Sequence, residues 1–260
     1  MIGRARRTTF DATTRTLMEA PRAGEIAWVE LRSPGNQPAV EFYGRLLGWD
    51  AVDATQGFAV LRLDGRDIGA AYVVPGGQGW TPYVAVEHAG RTLESAVAAG
   101  GTVVHEARQI GTGGWSGTFA DPEGTQVGVW QPVDHPGFRV RDTVGSVCRV
   151  ELHTRRTDDA ERFYSTVFGW HAGAGPGPGF RLLSAPDRVA VGLLEMDERR
   201  PDAPAWFVYF GADDVLATAS AAETAGGRAV HRPVPPAPAG AFAILADPEG
   251  VMFGLVKVEG

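Results

Sequence analysis

The sequence predicts an α+β protein of two tandem, similarly built domains, and three observations predict it. The first is a repeat. Val29-Glu30-Leu31, Phe42-Tyr43 and Gly48-Trp49 return as Val150-Glu151-Leu152, Phe163-Tyr164 and Gly169-Trp170, all 121 residues later. Trp80, Tyr83, Gly100-Gly101, His105 and Asp121-Pro122-Glu123-Gly124 return as Trp206, Tyr209, Gly226-Gly227, His231 and Asp247-Pro248-Glu249-Gly250, all 126 residues later. Self-similarity in fixed order marks duplication of a whole structural unit. The second observation is that strand-length runs alternate with two helix-length runs in each copy, the pattern of a sheet packed on helices. The third is 35 glycines and 18 prolines in 260 residues with no collagen period, which calls for many turns between short elements. The expected layout is an N-terminal extension over residues 1–24, domain one over 25–133, a linker over 134–145 rich in Pro, Gly and charge, and domain two over 146–260.

Taken in order, Ile26–Leu31 is apolar and strand-like. Pro38–Leu47 sets Val40, Tyr43, Leu46 and Leu47 at helical spacing, with Gly48 where a left-handed C-cap falls. Trp49–Asp53 is a short strand, Gly57–Leu63 alternates like a half-buried one, and Asp64-Gly65 signals a tight turn before the strand Ile68–Val74. The order then restarts with a strand at Tyr83–Val86 and a helix at Leu93–Ala99 ended by Gly100-Gly101. Strands at Thr102–His105, Trp115–Ala120 and Gln126–Trp130 complete the domain, and the whole order repeats from Val147 to Val258.

Composition excludes several classes. A net charge of −7 leaves no chain-wide basic footprint for nucleic acid. No apolar run approaches the ~18 residues of a membrane helix. The first 24 residues carry Arg4, Arg6, Arg7, Arg15 and Arg22 but no apolar core of a secretory signal. Cys148 is the only cysteine, so no intrachain disulfide exists, and a reducing cytoplasm is the expected location. Cys148 falls on a strand expected to be buried, where a thiol is inert. The Gly-rich runs at 74–79, 111–117 and 173–179 do not join a strand to a helix, so they are not phosphate loops.

The repeated Phe-Tyr, Gly-Trp, Trp/Tyr, Gly-Gly and Asp-Pro-Glu-Gly motifs resemble those of the vicinal oxygen chelate superfamily, also called glyoxalase/bleomycin resistance/dioxygenase. The resemblance runs through both copies. It implies paired βαβββ modules whose curved sheets form an open barrel around a central cavity. It does not imply an activity, because this fold hosts metalloenzymes, metal-free enzymes and drug-binding proteins. Metal-using members take a ligand from the first strand of a module, and a Glu seven residues after the Asp of the Asp-Pro turn. The resemblance maps these positions onto Trp28 and Arg149, and onto Gly128 and Gly254. None of these is a usual ligand for a divalent metal. No metal and no cofactor are therefore expected, and a displaced site would have to use Glu30 or Glu151.

Strand alternation then selects candidate cavity residues. If Trp28 faces the cavity, so do Glu30 and Arg32, and in domain two Arg149, Glu151 and His153. Glu30, Glu151 and His153 are the candidate acid–base groups, the last two as a carboxylate-supported pair. An equally simple reading pairs each glutamate with a nearby arginine: Arg149 or Arg181 for Glu151. His105 and His231 hold equivalent places after the second helix. Trp28 and Trp115 are the aromatic candidates, suited to a flat, partly apolar ligand. The expected partner is one small molecule, bound by a monomer or homodimer, with no nucleic acid and no membrane. The expected function is metal-independent binding of an apolar or aromatic molecule, such as an antibiotic or metabolite. The alternatives are a metal-independent isomerase, lyase or cyclase of secondary metabolism, and a metal-dependent glyoxalase or dioxygenase. An aromatic-walled pocket is expected in domain one and a more polar one in domain two.

Overall fold

The computed structural model describes residues 19–52, 57–77, 79–185, 188–197, 203–233 and 241–258. The Arg-rich part of the expected N-terminal extension, residues 1–18, lies outside them. Domain one runs β1 (Ile26–Ser33), α1 (Asn36–Leu47), β2 (Trp49–Val52), β3 (Phe58–Leu63), β4 (Arg66–Val73), β5 (Gly79–Ala85), α2 (Ala89–Ala98), β6 (Thr102–Ile110), β7 (Gly114–Ala120) and β8 (Gln126–Pro132). Domain two runs β9 (Val147–Thr154), α3 (Thr157–Phe168), β10 (His171–Ala174), β11 (Phe180–Ala185), β12 (Arg188–Glu195), β13 (Ala205–Ala212), α4 (Val215–Thr224), β14 (Arg228–His231), β15 (Phe242–Ala246) and β16 (Met252–Lys257).

Each domain is one eight-stranded sheet, ordered β2-β3-β4-β1-β5-β8-β7-β6 and, identically, β10-β11-β12-β9-β13-β16-β15-β14. This is two βαβββ modules per domain, joined edge to edge by the antiparallel pairs β1–β5 and β9–β13. Local chemistry sets the boundaries. Gly48 and Gly169 end their helices at φ 76° and 69°, a conformation that costs a glycine little. Asp64 and Gly65 both take positive φ, 50° and 71°, as a two-residue turn between antiparallel strands requires.

Along β1, Val29, Leu31 and Ser33 face the helices and are at most 1% exposed, while Trp28, Glu30 and Arg32 face a cavity on the other side. The helix-side core is continuous between the domains. Helix α1 packs on α4, and α2 on α3. Tyr43 and Trp49 of domain one meet Phe210 of domain two with ring centroids 6.3 and 4.9 Å apart. The repeated motifs close this interface symmetrically. The Tyr43 hydroxyl donates to Asp247 Oδ2 at 3.2 Å, and Tyr164 donates to Asp121 Oδ2 at 2.9 Å. Trp49 Nε1 donates to the Gly145 carbonyl and Trp170 Nε1 to that of Gly24, both at 2.7 Å. Each Asp-Pro-Glu-Gly aspartate also holds its own turn, Asp121 Oδ1 accepting from the amides of Glu123 and Thr125. The motif thus serves as a turn and as an acceptor for the other domain.

Two expectations need correction. The stretch Asp134–Arg141, read as a linker, folds back onto domain one. Phe138 and Val140 are buried, and the amides of Phe138 and Arg139 donate to the carbonyls of Ala27 and Asp67. Alternating apolar residues in a Pro/Gly-rich segment cover the apolar edge of the first strand there. His135, in the same segment, lines the cavity. Cys148 is half-buried rather than buried, and burial with the nearby Asp142 pushes its thiol up to about 11. No described helix is long and apolar enough to cross a membrane.

Candidate functional site

The concave face of the domain-one sheet encloses a cavity of about 450 Å³. Strand register orders its walls. Trp28 of β1 pairs with Tyr83 of β5, which pairs with Gly128 of β8, and these form one row. The next row carries Glu30 with Ala70 and Thr81 on either side, and the next Arg32 beside Tyr72. Trp28 and Trp130, with His135, make an aromatic end. The His135 ring stands edge-on to Trp28 at 5.2 Å and to Trp130 at 6.0 Å, and its Nε2 lies 3.2 Å from Asp67. Phe58 and Tyr72, 4.9 Å apart, flank the polar end, where Arg32 donates to Gln126. On the opposite wall stand His105, whose Nδ1 lies 2.8 Å from Thr118 Oγ1, and Arg108.

Glu30 sits mid-cavity. The Tyr83 hydroxyl donates to its Oε2 at 2.5 Å. Burial pushes the Glu30 carboxyl up to about 7, against the pull of the Tyr83 hydrogen bond and of the Arg32 and Arg108 charges. A carboxyl poised near neutral pH in an apolar cavity can take or give a proton. Arg108 makes no ion pair among the described residues.

Domain two places the equivalent residues differently. Arg149 replaces Trp28 and lays its guanidinium 4.1 Å over the Tyr209 ring and 5.6 Å from Phe242. Its Nε forms an ion pair with Glu151 Oε1 at 2.9 Å. His153 Nε2 lies 3.3 Å from Glu151 Oε2, and the Tyr209 hydroxyl donates to the same oxygen at 2.7 Å. Burial would raise the Glu151 carboxyl, but the His153 hydrogen bond, the Arg149 charge and the Tyr209 hydroxyl hold it below the ordinary range. His153 is buried and stacks on Phe207 at 4.0 Å, and His231 stacks on Phe242 at 5.1 Å. Arg181, the other arginine weighed for Glu151, instead meets Asp158 and Glu161. The two glutamates thus share a position and a tyrosine partner, but their carboxyls are pushed in opposite directions, Glu30 up and Glu151 down.

Of the residues expected from the sequence, the cavity brings together Trp28, Glu30, Arg32 and His105. Trp115 is a correction: it is 39% exposed and outside the cavity wall. Strand β7 starts at Gly114, so alternation sends Ser116 and Thr118 inward and Trp115 out. Ala241, its counterpart in domain two, is buried. Sequence reasoning assigned no cavity role to Phe58, Tyr72, Tyr83, Arg108, Gln126 or His135. Tyr83 was within reach, since it recurs as Tyr209 just as Glu30 recurs as Glu151.

The residues at the family's metal positions do not fit a metal. Beyond Trp28 and Arg149 on the first strands, the last-strand positions are filled by tyrosine rings. A Cβ added at Gly128 would stand 2.2 Å from Tyr83 Cδ1, and one at Gly254 would stand 2.0 Å from Tyr209 Cδ1. A carboxylate ligand could not extend from either backbone. Among the described residues no three His, Cys, Asp or Glu side chains gather where they could hold a metal ion.

Comparison with known proteins agrees with this architecture. Residues 28–130 match the glyoxalase-like domain family, and residues 146–255 the glyoxalase/bleomycin resistance protein/dioxygenase superfamily. The chain is 33% identical to CFP32 of Mycobacterium tuberculosis, provisionally named a glyoxylase, over 91% of this chain and 95% of that one. It is 30% identical to the anthracycline biosynthesis protein DauV of Streptomyces sp. strain C5, over 90% of this chain and 94% of that one. Among solved structures, the Mn(II)-bound glyoxalase of Novosphingobium aromaticivorans superposes with a TM-score of 0.69 at 17% identity, covering 92% of this chain and 83% of that one. The 2,3-dioxygenase LapB of Pseudomonas sp. KL28 superposes at 0.66 and 14% identity, covering 93% and 94%. The last two likenesses concern the fold alone. With its repeated βαβββ modules and these matches over both halves, the chain belongs to the glyoxalase/bleomycin resistance protein/dioxygenase superfamily.

Proposed function

We propose that this protein binds a small, flat aromatic molecule in the domain-one cavity without a metal ion. One observation carries the reading. In the place where metal-using members of the superfamily keep a ligand carboxylate stands the Tyr83 ring, and with Trp28, Phe58, Tyr72 and Trp130 it gives the cavity an aromatic wall. Burial and stacking on such a wall supply affinity, while Arg32 and Gln126 at the polar end orient polar groups of the ligand. The relatives named for anthracycline biosynthesis support an aromatic ligand. Titration of intrinsic tryptophan fluorescence with 2-tetralone and 1-naphthol tests it. Both should quench, protein dialysed against EDTA should bind equally well, and Trp28→Ala should weaken binding by roughly 1–3 kcal/mol, the scale of one large buried side chain. Loss of binding on chelation, recovered by one divalent metal, would refute the metal-free reading. A second reading, an acid–base enzyme of the same fold, is favoured by the poised carboxyl of Glu30.

A further inference from the structure

Glu30, Tyr83 and Arg108 form an arrangement that ligand binding alone does not need. A cavity built only to hold an apolar aromatic molecule gains nothing from a carboxyl in its middle, since burying an ionisable group without full compensation is unfavourable. In domain two the equivalent glutamate is compensated three times over, by Arg149, His153 and Tyr209. In domain one the tryptophan at position 28 removes the arginine, position 32 is an arginine rather than a histidine, and Arg32 is turned to Gln126. Glu30 keeps the Tyr83 hydroxyl, and one of its two oxygens is free of any protein hydrogen bond among the described residues. Glu30 on β1 and Arg108 on β6 both line the cavity, close enough for the Arg108 charge to act on the carboxyl.

We propose that the domain-one cavity is a metal-free proton-transfer site for enolisable ketones whose acidic carbon carries an aromatic ring, with Glu30 as the acid–base group and the Arg108 guanidinium as counter-charge to the oxyanion. This rests on the aromatic-ligand reading of the same cavity. The ionised Glu30 takes a proton from the carbon next to the carbonyl. The C–H electron pair becomes the C=C bond of the enolate as the carbonyl π pair moves to oxygen, opposite Arg108. The protonated Glu30 then returns a proton to the same carbon or to a conjugated one, so the net reaction is exchange or isomerisation. No oxidant or reductant enters. Tyr83 acts as a positioning residue, fixing one carboxyl oxygen so that the other is presented to the substrate. The other ionisable groups facing Glu30 are Arg32 on its own strand, Tyr72 on β4 and Arg108 on β6, while His105 and His135 line the same cavity. The glutamate is ionised in part at neutral pH, so the site is active where its proton can leave.

The test uses the full chain and 2-tetralone, a bicyclic ketone with acidic C1 protons. Loss of the C1 signal in D2O is followed by proton NMR, and the Kd of each variant is measured by calorimetry so that rates are compared at equal occupancy. Wild-type protein should accelerate exchange at least tenfold over buffer, with a rate that rises with pH to a plateau above about pH 7. Glu30→Gln should lose that acceleration, Glu30→Asp should recover part of it, and Arg108→Gln should lower it severalfold and move its pH profile upward, because a charge that favours the ionised carboxyl is gone. Exchange by Glu30→Gln as fast as by wild type overturns the proposal. Binding of 2-tetralone without acceleration by the wild type overturns it too, and leaves the aromatic-binding reading standing. Absence of 2-tetralone binding overturns both.

Discussion

Replacing Glu30 by glutamine should stabilise the protein far more at alkaline pH than in mild acid. The ordinary carboxyl titrates near 4.5, and burial pushes Glu30 to about 7 in the folded chain. A raised carboxyl pKa means the folded state holds the proton more tightly than the unfolded one. Stability from this group is therefore fully present below about pH 4.5 and falls as pH rises through about 7, where it levels off. Each pH unit of displacement is ~1.36 kcal/mol, so the displaced titration of Glu30 costs the folded state about 3 kcal/mol at pH 8.5, where it is ionised, and about 1 kcal/mol at pH 5, where the fold keeps it protonated. Glutamine has nearly the same shape, can accept the Tyr83 hydrogen bond through its amide oxygen and does not titrate. The difference in unfolding free energy between Glu30→Gln and wild type should therefore grow by about 2 kcal/mol between pH 5 and pH 8.5. Urea unfolding of both proteins at the two pH values measures it, and every other titrating group cancels in the difference. A gap that does not change with pH would show that Glu30 titrates as an ordinary surface carboxyl. A gap of opposite slope would show that its charge is stabilised, and either result would remove the physical basis for a poised group in the cavity.

The same substitution in the other domain should have the opposite sign. Glu151→Gln leaves Arg149 and His153 without their carboxylate and should destabilise by about 2–3 kcal/mol at pH 7, below the ~3–5 of a fully buried pair because the Arg149 side chain stays 35% exposed. The Glu151 carboxyl is held down, so its contribution is present above the ordinary carboxyl range and lost as pH falls through the folded value; urea midpoints of wild type and variant should converge in acid. Tyr164→Phe removes a hydrogen bond between the domains and leaves Asp121 a partner short, which should cost about 1–3 kcal/mol in urea unfolding. Trp115→Ala should leave both the affinity for 1-naphthol and the fluorescence quench unchanged within error, because that ring stands outside the cavity.

The sequence by itself determined the duplication and the order of elements. Those are local and periodic properties: Gly48 and Gly169 had to end helices, Asp64-Gly65 had to turn, and alternation put Trp28, Glu30 and Arg32 on one face of one strand. The repeat of Tyr43 and Asp121 as Tyr164 and Asp247 was equally visible, but not its meaning. Each tyrosine bonds the aspartate of the other domain, and only packing across the pseudo-symmetric interface reveals such a partner. The cavity was legible only in part, for the same reason. Its first-strand residues follow from the period of one strand. Phe58, Tyr72, Tyr83, Arg108 and His135 reach it from four other strands and a segment that folds back, so their convergence depends on sheet curvature and register. Packing, not register, decided the glutamates, because both sit in the same register between equivalent strands. Val-Glu-Leu is the same in both copies, yet Glu30 is raised and Glu151 lowered. A carboxyl's protonation is set by how much water it loses and which charges stand within a few ångströms; Arg149 and His153 share a strand with Glu151, but only the fold brings their charges against its carboxyl.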